Sequence, residues 1–155
     1  AGTPCEVRGI SAAACEIAVD TGTGQVEILR FCNAVDAGRA IFWKGCQNQI
    51  EGGIELMIGQ AFYYEQILDP VSGATLNASY IDHKFPTTLD FDFRRHEAII
   101  VESDDACGPY GCKGIGEPCV SNFGALANAV HNATGKWIHN PPITPAKILA
   151  SLEQV

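Results

Sequence analysis

Alternating apolar and polar positions near the start of the chain predict a β-hairpin. Residues 14–20 have the pattern of a first strand, and residues 25–35, rich in Val, Ile, Leu and Phe, that of a second. Between them, Thr21-Gly-Thr-Gly24 has the small residues that a tight turn uses. We expect the two strands to pair.

The apolar period lengthens to three and four residues after the hairpin, which predicts a helix from Ile50. Its internal glycines are Gly52, Gly53 and Gly59. Each costs a helix about 1 kcal/mol relative to alanine, so another backbone or a ligand is expected to come close. Tight packing of helix on sheet explains the glycines equally well. The periodic positions are Ile50, Ile54, Met57, Ile58, Ala61, Phe62 and Glu65.

The second half of the chain mixes short strands and helices. Strands are predicted at residues 75–80 and 96–102. A helix is predicted after Pro118, ended by Gly135, and Thr144 and Pro145 suit the cap and first position of a last short helix. Because no β-α-β rhythm is visible, we expect an α+β fold, with mixed or antiparallel strands and two or three packed helices, in one domain over residues 1–155.

The composition of the chain limits the kinds of partner it is expected to bind. A net charge of −8 argues against nucleic acid, which needs clustered Lys and Arg. No apolar run reaches the length of a membrane span and no signal peptide is visible, so a cytoplasmic location is expected. Hydrophobic residues make up 46% of the chain, and a hidden interface with a partner would explain that content.

Seven cysteines form an odd, dispersed set, which favours free, reduced thiols over a disulfide framework. Cys107 and Cys112 have the gap that opens a plant-type iron–sulfur pattern, but the cysteine required three residues later is Ile115. We expect no cluster in this chain. The cysteines are Cys5, Cys15, Cys32, Cys46, Cys107, Cys112 and Cys119.

The most informative segment is the glycine-rich loop of residues 108–116, which has four glycines in nine residues and is followed by Glu117. Glycine lets a bulky ligand touch main-chain amides. A helix N-terminus favours the ionised form of Glu117, and exclusion of water raises its pKa again, so the carboxylate could serve as a general base. The alternative is that Glu117 only caps the helix.

Five motifs, in order, resemble the xanthine dehydrogenase/aldehyde oxidase family, and specifically the C-terminal part of its molybdopterin-binding large subunit. The segment with Glu117 is similar to the one that carries the family's catalytic glutamate. The five are Asp36-Ala-Gly-Arg-Ala-Ile41, Gln49-Ile-Glu-Gly-Gly53, His83-Lys-Phe-Pro-Thr87, Gly111-Cys-Lys-Gly-Ile-Gly-Glu-Pro118 and Asn140-Pro-Pro-Ile-Thr-Pro145.

The resemblance implies a fold of the molybdenum hydroxylase type and a role for each matching residue. Glu117 would be the base and Gln49 a side-chain contact to the molybdopterin cofactor. Lys113, Gly114, Ile115 and Gly116 would approach the cofactor largely through their backbone. No residue would bind the metal directly, because molybdenum is held through the pterin.

The implied reaction uses water-derived oxygen to hydroxylate an aromatic heterocycle or to oxidise an aldehyde. The implied partners are the other subunits of a molybdenum hydroxylase complex, with iron–sulfur clusters and FAD, and a small-molecule substrate. Two alternatives stay open: a hydratase or dehydrogenase with the same cofactor, and a non-catalytic structural or assembly subunit.

The chain departs from the family pattern at three places. Phe42 and Trp43 stand where the family usually has Asn-Pro, and Asn48 replaces the glycine before the motif glutamine. Cys119 replaces the second proline after the glutamate. We expect Cys119 to serve packing, since buried cysteine behaves as a small hydrophobe.

Overall fold

The N-terminal hairpin forms as predicted. The computed structural model describes residues 7–90 and 92–153. Strand β1 (Ser11–Val19) pairs antiparallel with β2 (Val26–Asp36), with a bulge at Glu16/Ile17. Gly24 in the connecting turn adopts a positive φ of 74°, a conformation that glycine allows at little cost.

Strand β3 (His96–Val101) matches the predicted strand and pairs parallel with β2, which gives the sheet order β1-β2-β3. The α+β prediction with mixed strands is confirmed. The connection from β2 to β3 contains a helix, so one β-α-β unit is present that the sequence pattern did not predict. A long irregular segment separates that helix from β3. It interrupts the regular alternation of strands and helices by which such a unit is predicted from sequence.

Helix α1 (Trp43–Phe62) begins seven residues before the predicted start at Ile50. Its first turns bury no apolar side chain, so periodicity could not reveal them. Polar bonds form there instead, from Lys44 Nζ to Gln47 Oε1 (3.2 Å) and from Gln47 Nε2 to Glu51 Oε1 (2.7 Å). The predicted apolar face is confirmed at five residues that are fully buried in the core: Ile50, Ile54, Met57, Ile58 and Ala61. The prediction was wrong for Glu65, because the helix ends at Phe62 and Glu65 is exposed beyond it.

The C-terminal helices follow the prediction with one correction. Pro118 lies in a separate 3-10 turn, Pro118–Val120, and helix α2 (Phe123–Thr134) begins only afterwards. Gly135 ends α2 in the left-handed conformation. Helix α3 (Pro145–Glu153) is capped by Thr144, whose Oγ1 accepts from the Lys147 amide at 3.3 Å.

The strand predicted at residues 75–80 is wrong. The segment belongs to a long irregular stretch, residues 65–90, which we call the arm, and it forms only the isolated bridge between Leu68 and Thr75. The Asn77 side chain is buried and accepts from the Ile67 amide at 2.9 Å, which folds the segment back on itself. The buried Asn77 side chain thus forms hydrogen bonds with the backbone in place of the pairing that a β-strand would make.

The core lies between one face of the sheet and the helices. Phe31 and Val35 of β2 pack with the buried face of α1 and with Leu126 of α2. The opposite face of the sheet carries exposed ion pairs, such as Arg30–Glu97 at 2.7 Å. Within residues 7–90 and 92–153, no helix is both long and apolar enough to cross a bilayer.

The cysteine prediction needs a correction at one position, because Cys107 is disulfide-bonded. A dispersed, odd set of cysteines does not show which of them the fold brings together. Five others are free, as predicted: Cys15, Cys32, Cys46, Cys112 and Cys119. Cys5 lies outside the described residues.

Candidate functional site

Glu117 lies directly before the 3-10 turn Pro118–Val120 and is exposed. Its side chain makes no capping hydrogen bond to that turn, whereas its carbonyl accepts from the Val120 amide at 3.0 Å. The geometry therefore does not support a capping role. The carboxylate is left available on a backbone that is itself fixed.

The residues before Glu117 are fastened to the end of β2. The Lys113 amide donates to the Ala37 carbonyl (2.9 Å), and the Arg39 amide donates to the Gly111 carbonyl (2.8 Å). Gly38 adopts a φ of 60°, and an added Cβ there would lie only 2.3 Å from the Gly111 oxygen. The close approach of two backbones at Gly38 thus fixes where the glycine-rich loop begins.

An ion pair strengthens this attachment. Lys113 Nζ lies 2.6 Å from Asp36 Oδ2 and 3.9 Å from Asp105 Oδ2, with all three side chains at most 15% exposed. Burial alone would raise the pKa of Asp36, but hydrogen bonds from Lys113, Gly38 and Ser103 hold it below its usual value. Asp36 is therefore ionised near neutral pH and neutralises the lysine inside the fold.

The residues after Glu117 are fastened by Cys119. Its carbonyl accepts from Asn33 Nδ2 at 2.9 Å, and its thiol donates to the Gly116 carbonyl at 2.7 Å. Asn33 Oδ1 accepts in turn from Asn122 Nδ2 at 3.0 Å. Cys119 is 1% exposed, and desolvation raises the pKa of its thiol. The prediction that Cys119 serves packing is confirmed.

Gly53 explains one of the helix glycines. A Cβ at Gly53 would lie 2.6 Å from the Cys119 oxygen and 2.8 Å from its sulfur, so another backbone does come close. Gln49 is exposed one turn earlier on the same helix face. The fold thus brings Gln49 and Glu117 to the same region of the surface.

The backbone between the two attachments is open. A Cβ at Gly114 or at Gly116 would meet nothing within 4 Å. Within the described ranges, the amides of Gly114, Ile115 and Gly116 donate no hydrogen bond, while the Ile115 side chain packs against the core. Open amides without a side chain in the way, beside an exposed amide side chain at Gln49, fit a large polar cofactor.

Other features lie apart from this region. A cavity of about 580 Å³ lies at the C-terminal end of α1, lined by Ile58, Phe62 and Tyr63 among others, and none of the predicted site residues lines it. The described part of the chain holds no cluster of three or more His, Cys, Asp or Glu able to bind a metal ion. Glu117 itself is exposed and lines neither this cavity nor the smaller one beside Arg39 and Glu102.

The departure at Phe42 and Trp43 leaves large apolar side chains on the surface. Phe42 is 70% exposed and Trp43 52% exposed, at the start of α1 and on the same helix as Gln49.

Two residues of this region were missed by sequence reasoning. In the sequence, Asn33 is a polar residue within an apolar strand. That interruption of the apolar pattern was the only indication of a special role for Asn33. Asp36 was noted as the start of a motif, but nothing in the sequence showed that it pairs with Lys113, 77 residues away.

Comparisons with known proteins show which family and which fold the chain resembles. Residues 2–92, more than half of the chain, match the family model for the molybdopterin cofactor-binding domain. The putative xanthine dehydrogenase molybdenum-binding subunit XdhA of Escherichia coli (strain K12) is 34% identical over 134 residues, which is 86% of this chain and 18% of that protein. The aldehyde oxidoreductase molybdenum-binding subunit PaoC of the same organism is 31% identical over 142 residues, 90% of this chain and 19% of that protein.

A solved structure shares the fold. Quinoline 2-oxidoreductase from Pseudomonas putida 86 superposes with a TM-score of 0.80 at 30% identity, over 89% of this chain and 18% of that one. The chain thus spans less than a fifth of the length of each of these three proteins. The family match and the shared fold lead to one conclusion: the chain belongs to the molybdopterin cofactor-binding domain family.

Proposed function

We propose that this chain acts as one domain that supplies one wall of a molybdopterin site in a molybdenum hydroxylase complex, with Glu117 as the general base. The observation that carries the proposal is the exposed Glu117 carboxylate on a backbone fastened on both sides, next to the open backbone of residues 114–116. The proposed reaction hydroxylates an aromatic heterocycle or oxidises an aldehyde, with oxygen from water. The related xanthine dehydrogenase and aldehyde oxidoreductase subunits support that substrate class.

The molybdenum cofactor, when bound, supplies the Lewis acid and the electron sink. The chain then needs to supply one base, because a single positioned carboxylate can take the proton from the water-derived oxygen. Glu117 makes no capping bond that would compete for this role.

The cofactor contacts divide between side chain and backbone. Gln49 offers an exposed amide, which can donate to and accept from a pterin edge. Gly114, Ile115 and Gly116 offer their amides. The Lys113 amide and ammonium are already bound to Ala37 and Asp36, so its proposed contact is limited to its carbonyl oxygen.

The proposal requires partner chains. The open Glu117 region provides one wall, and exposed Phe42 and Trp43 lie on the helix that carries Gln49. We infer that another polypeptide covers this side and completes the cofactor site. Iron–sulfur clusters and FAD would lie on partner subunits.

The test is Glu117→Gln in the reconstituted complex. Turnover should fall by roughly 10²- to 10⁴-fold, as for loss of a general base, while the molybdenum content of the complex stays unchanged. Glu16→Gln, which neutralises an exposed carboxylate on the outer face of β1, is the control and should keep turnover. Unchanged turnover in Glu117→Gln would favour a structural subunit, and addition of water without electron release would favour a hydratase.

A further inference from the structure

We propose that Asn33 is a positioning residue, which fixes the backbone that carries Glu117 through a chain of hydrogen bonds. The proposal rests on the proposed function of Glu117 as the base. It assigns a role to a residue in the middle of β2 that touches neither the cofactor region nor the surface.

Asn33 is fully buried on the same face of β2 as the apolar residues Phe31 and Val35. An apolar side chain at this position would fill the core without the desolvation that an amide requires. Both polar atoms of the Asn33 side chain are nevertheless hydrogen-bonded, since Nδ2 donates to the Cys119 carbonyl and Oδ1 accepts from Asn122 Nδ2. Both partners lie just C-terminal to Glu117, so the amide connects the sheet to this segment.

Cys119 connects the residue held by Asn33 to Gly116, on the other side of Glu117. Its thiol donates to the Gly116 carbonyl at 2.7 Å, while its carbonyl is held by Asn33 at 2.9 Å. The thiol bond encloses Glu117 and Pro118 in a short turn, and the bond from Asn33 joins that turn to the sheet. Gly53 of α1 lies against the same carbonyl and thiol, so that Cys119 cannot shift toward the helix.

Together these contacts leave Glu117 with a fixed backbone and a free side chain. A general base acts only within hydrogen-bond reach of its proton, and a displacement of about 1 Å can cost about 100-fold in rate. Asn33 holds the segment immediately after Glu117 at two points, Cys119 and Asn122, and it does so inside the core, whereas Ser11 of β1 bonds only the exposed Ser121 hydroxyl. Loss of the Asn33 side chain would therefore displace the base without removing it.

The principal variant is Asn33→Ala, in the reconstituted complex. We expect kcat to fall by about 10- to 100-fold, with KM and molybdenum content close to wild type. Backbone amides of residues 117–122 should exchange faster with deuterium. The matched control is Asn77→Ala, which removes another buried, doubly bonded asparagine, on the arm. It should leave kcat and the exchange of residues 117–122 unchanged.

A second pair of variants tests the turn that the Cys119 thiol closes around Glu117 and Pro118. These variants also test the proposal if the complex with Asn33→Ala does not assemble. Cys119→Ala removes the donor to the Gly116 carbonyl, whereas Cys119→Ser keeps a donor of similar size. We expect kcat to fall in the alanine variant and to recover largely in the serine variant. Equal rates in the two variants would contradict the proposal.

Combination with Glu117→Gln separates this inference from the proposed function. If Asn33 acts through Glu117, Asn33→Ala should lower kcat no further in the Glu117→Gln background. A further fall by the same factor would overturn the positioning role. If Glu117→Gln alone keeps wild-type turnover, the proposed function fails first, and the exchange of residues 117–122 still decides whether Asn33 holds the segment.

Discussion

The glutamate loop, which we define as residues 108–119, and the arm, residues 65–90, are both irregular, yet different contacts hold them. The glutamate loop is bonded to residues far away in sequence, through Asn33, Asp36 and Ala37. In the arm, most hydrogen bonds that the structure describes join two residues of the arm itself, and the exception is Asp90, whose carboxylate is hydrogen-bonded by Tyr63 at the end of α1. Examples of bonds within the arm are those from the Val71 and Ser72 amides to Asp69.

The difference shows what fixes an irregular segment in space. Local turns give a segment its shape, but only bonds to the sheet give it a position. The arm also exposes large apolar side chains, including Val71 at 95% and Leu89 at 96%. We therefore expect bonds to the sheet to position the glutamate loop. The arm meets the rest of this chain at the end of α1, through Tyr63 and Tyr64, and we expect its position to depend more on whatever covers it.

Among substitutions that should affect the glutamate loop and not the arm, we expect Asp36→Asn to have the largest effect. Lys113 would lose its ion-pair partner, and breaking a buried pair costs about 3–5 kcal/mol. Because Asp105 remains at 3.9 Å, we expect the lower part of that range. Hydrogen exchange in the complex should show easier opening at residues 36–39 and 108–113, with no change in the arm.

The control for Asp36→Asn is Glu97→Gln, which breaks the exposed Arg30–Glu97 pair. Water screens an ion pair between exposed side chains, so the pair contributes little to stability and exchange should change little anywhere. An equal response to both substitutions would mean that the Asp36–Lys113 pair does not fasten the loop.

A smaller effect is expected from Gly53→Ala, which places a Cβ 2.6 Å from the Cys119 oxygen. We expect a loss of about 1–3 kcal/mol, typical of overpacking, and faster exchange of residues 117–120. Gly52→Ala, one position earlier, meets nothing within 4 Å and should stabilise α1 by about 1 kcal/mol. Opposite signs at neighbouring glycines would confirm the close packing of helix and loop.

Acidification should weaken the same attachment. The pKa of Asp36 is lowered, so its ionised form stabilises the fold. That contribution is complete above the unfolded Asp pKa of about 3.9 and is lost as the pH falls through the lower folded-state pKa. Exchange of the glutamate loop should therefore accelerate below about pH 4 in the wild type, and Asp36→Asn should remove much of this acceleration.

The smallest effect is expected from Asp69→Ala in the arm. It removes the acceptor for the Val71 and Ser72 amides, and these two bonds are local and exposed to solvent, so their loss should affect stability little. Faster exchange should stay within residues 69–74. A response in the glutamate loop would show that the two segments are coupled.

The same contrast limits what the sequence could predict. The hairpin, the buried face of α1 and the caps at Thr144 and Gly135 were predicted because periodicity and local residue chemistry determine them. The Glu117 segment was found through its glycines and its motif. The bonds from Asn33 and Asp36 were not predicted, since the parallel pairing of β2 with β3 and the contacts made by β2 have no local signature.

The substrate-driven reduction of the cofactor in a single turnover tests the central claim most directly. Wild-type and Glu117→Gln complexes with equal molybdenum content would be mixed with substrate and followed by absorbance. We predict a rate that is lower by roughly 10²- to 10⁴-fold in Glu117→Gln. Equal rates of reduction in the two complexes would contradict a role for Glu117 as the base.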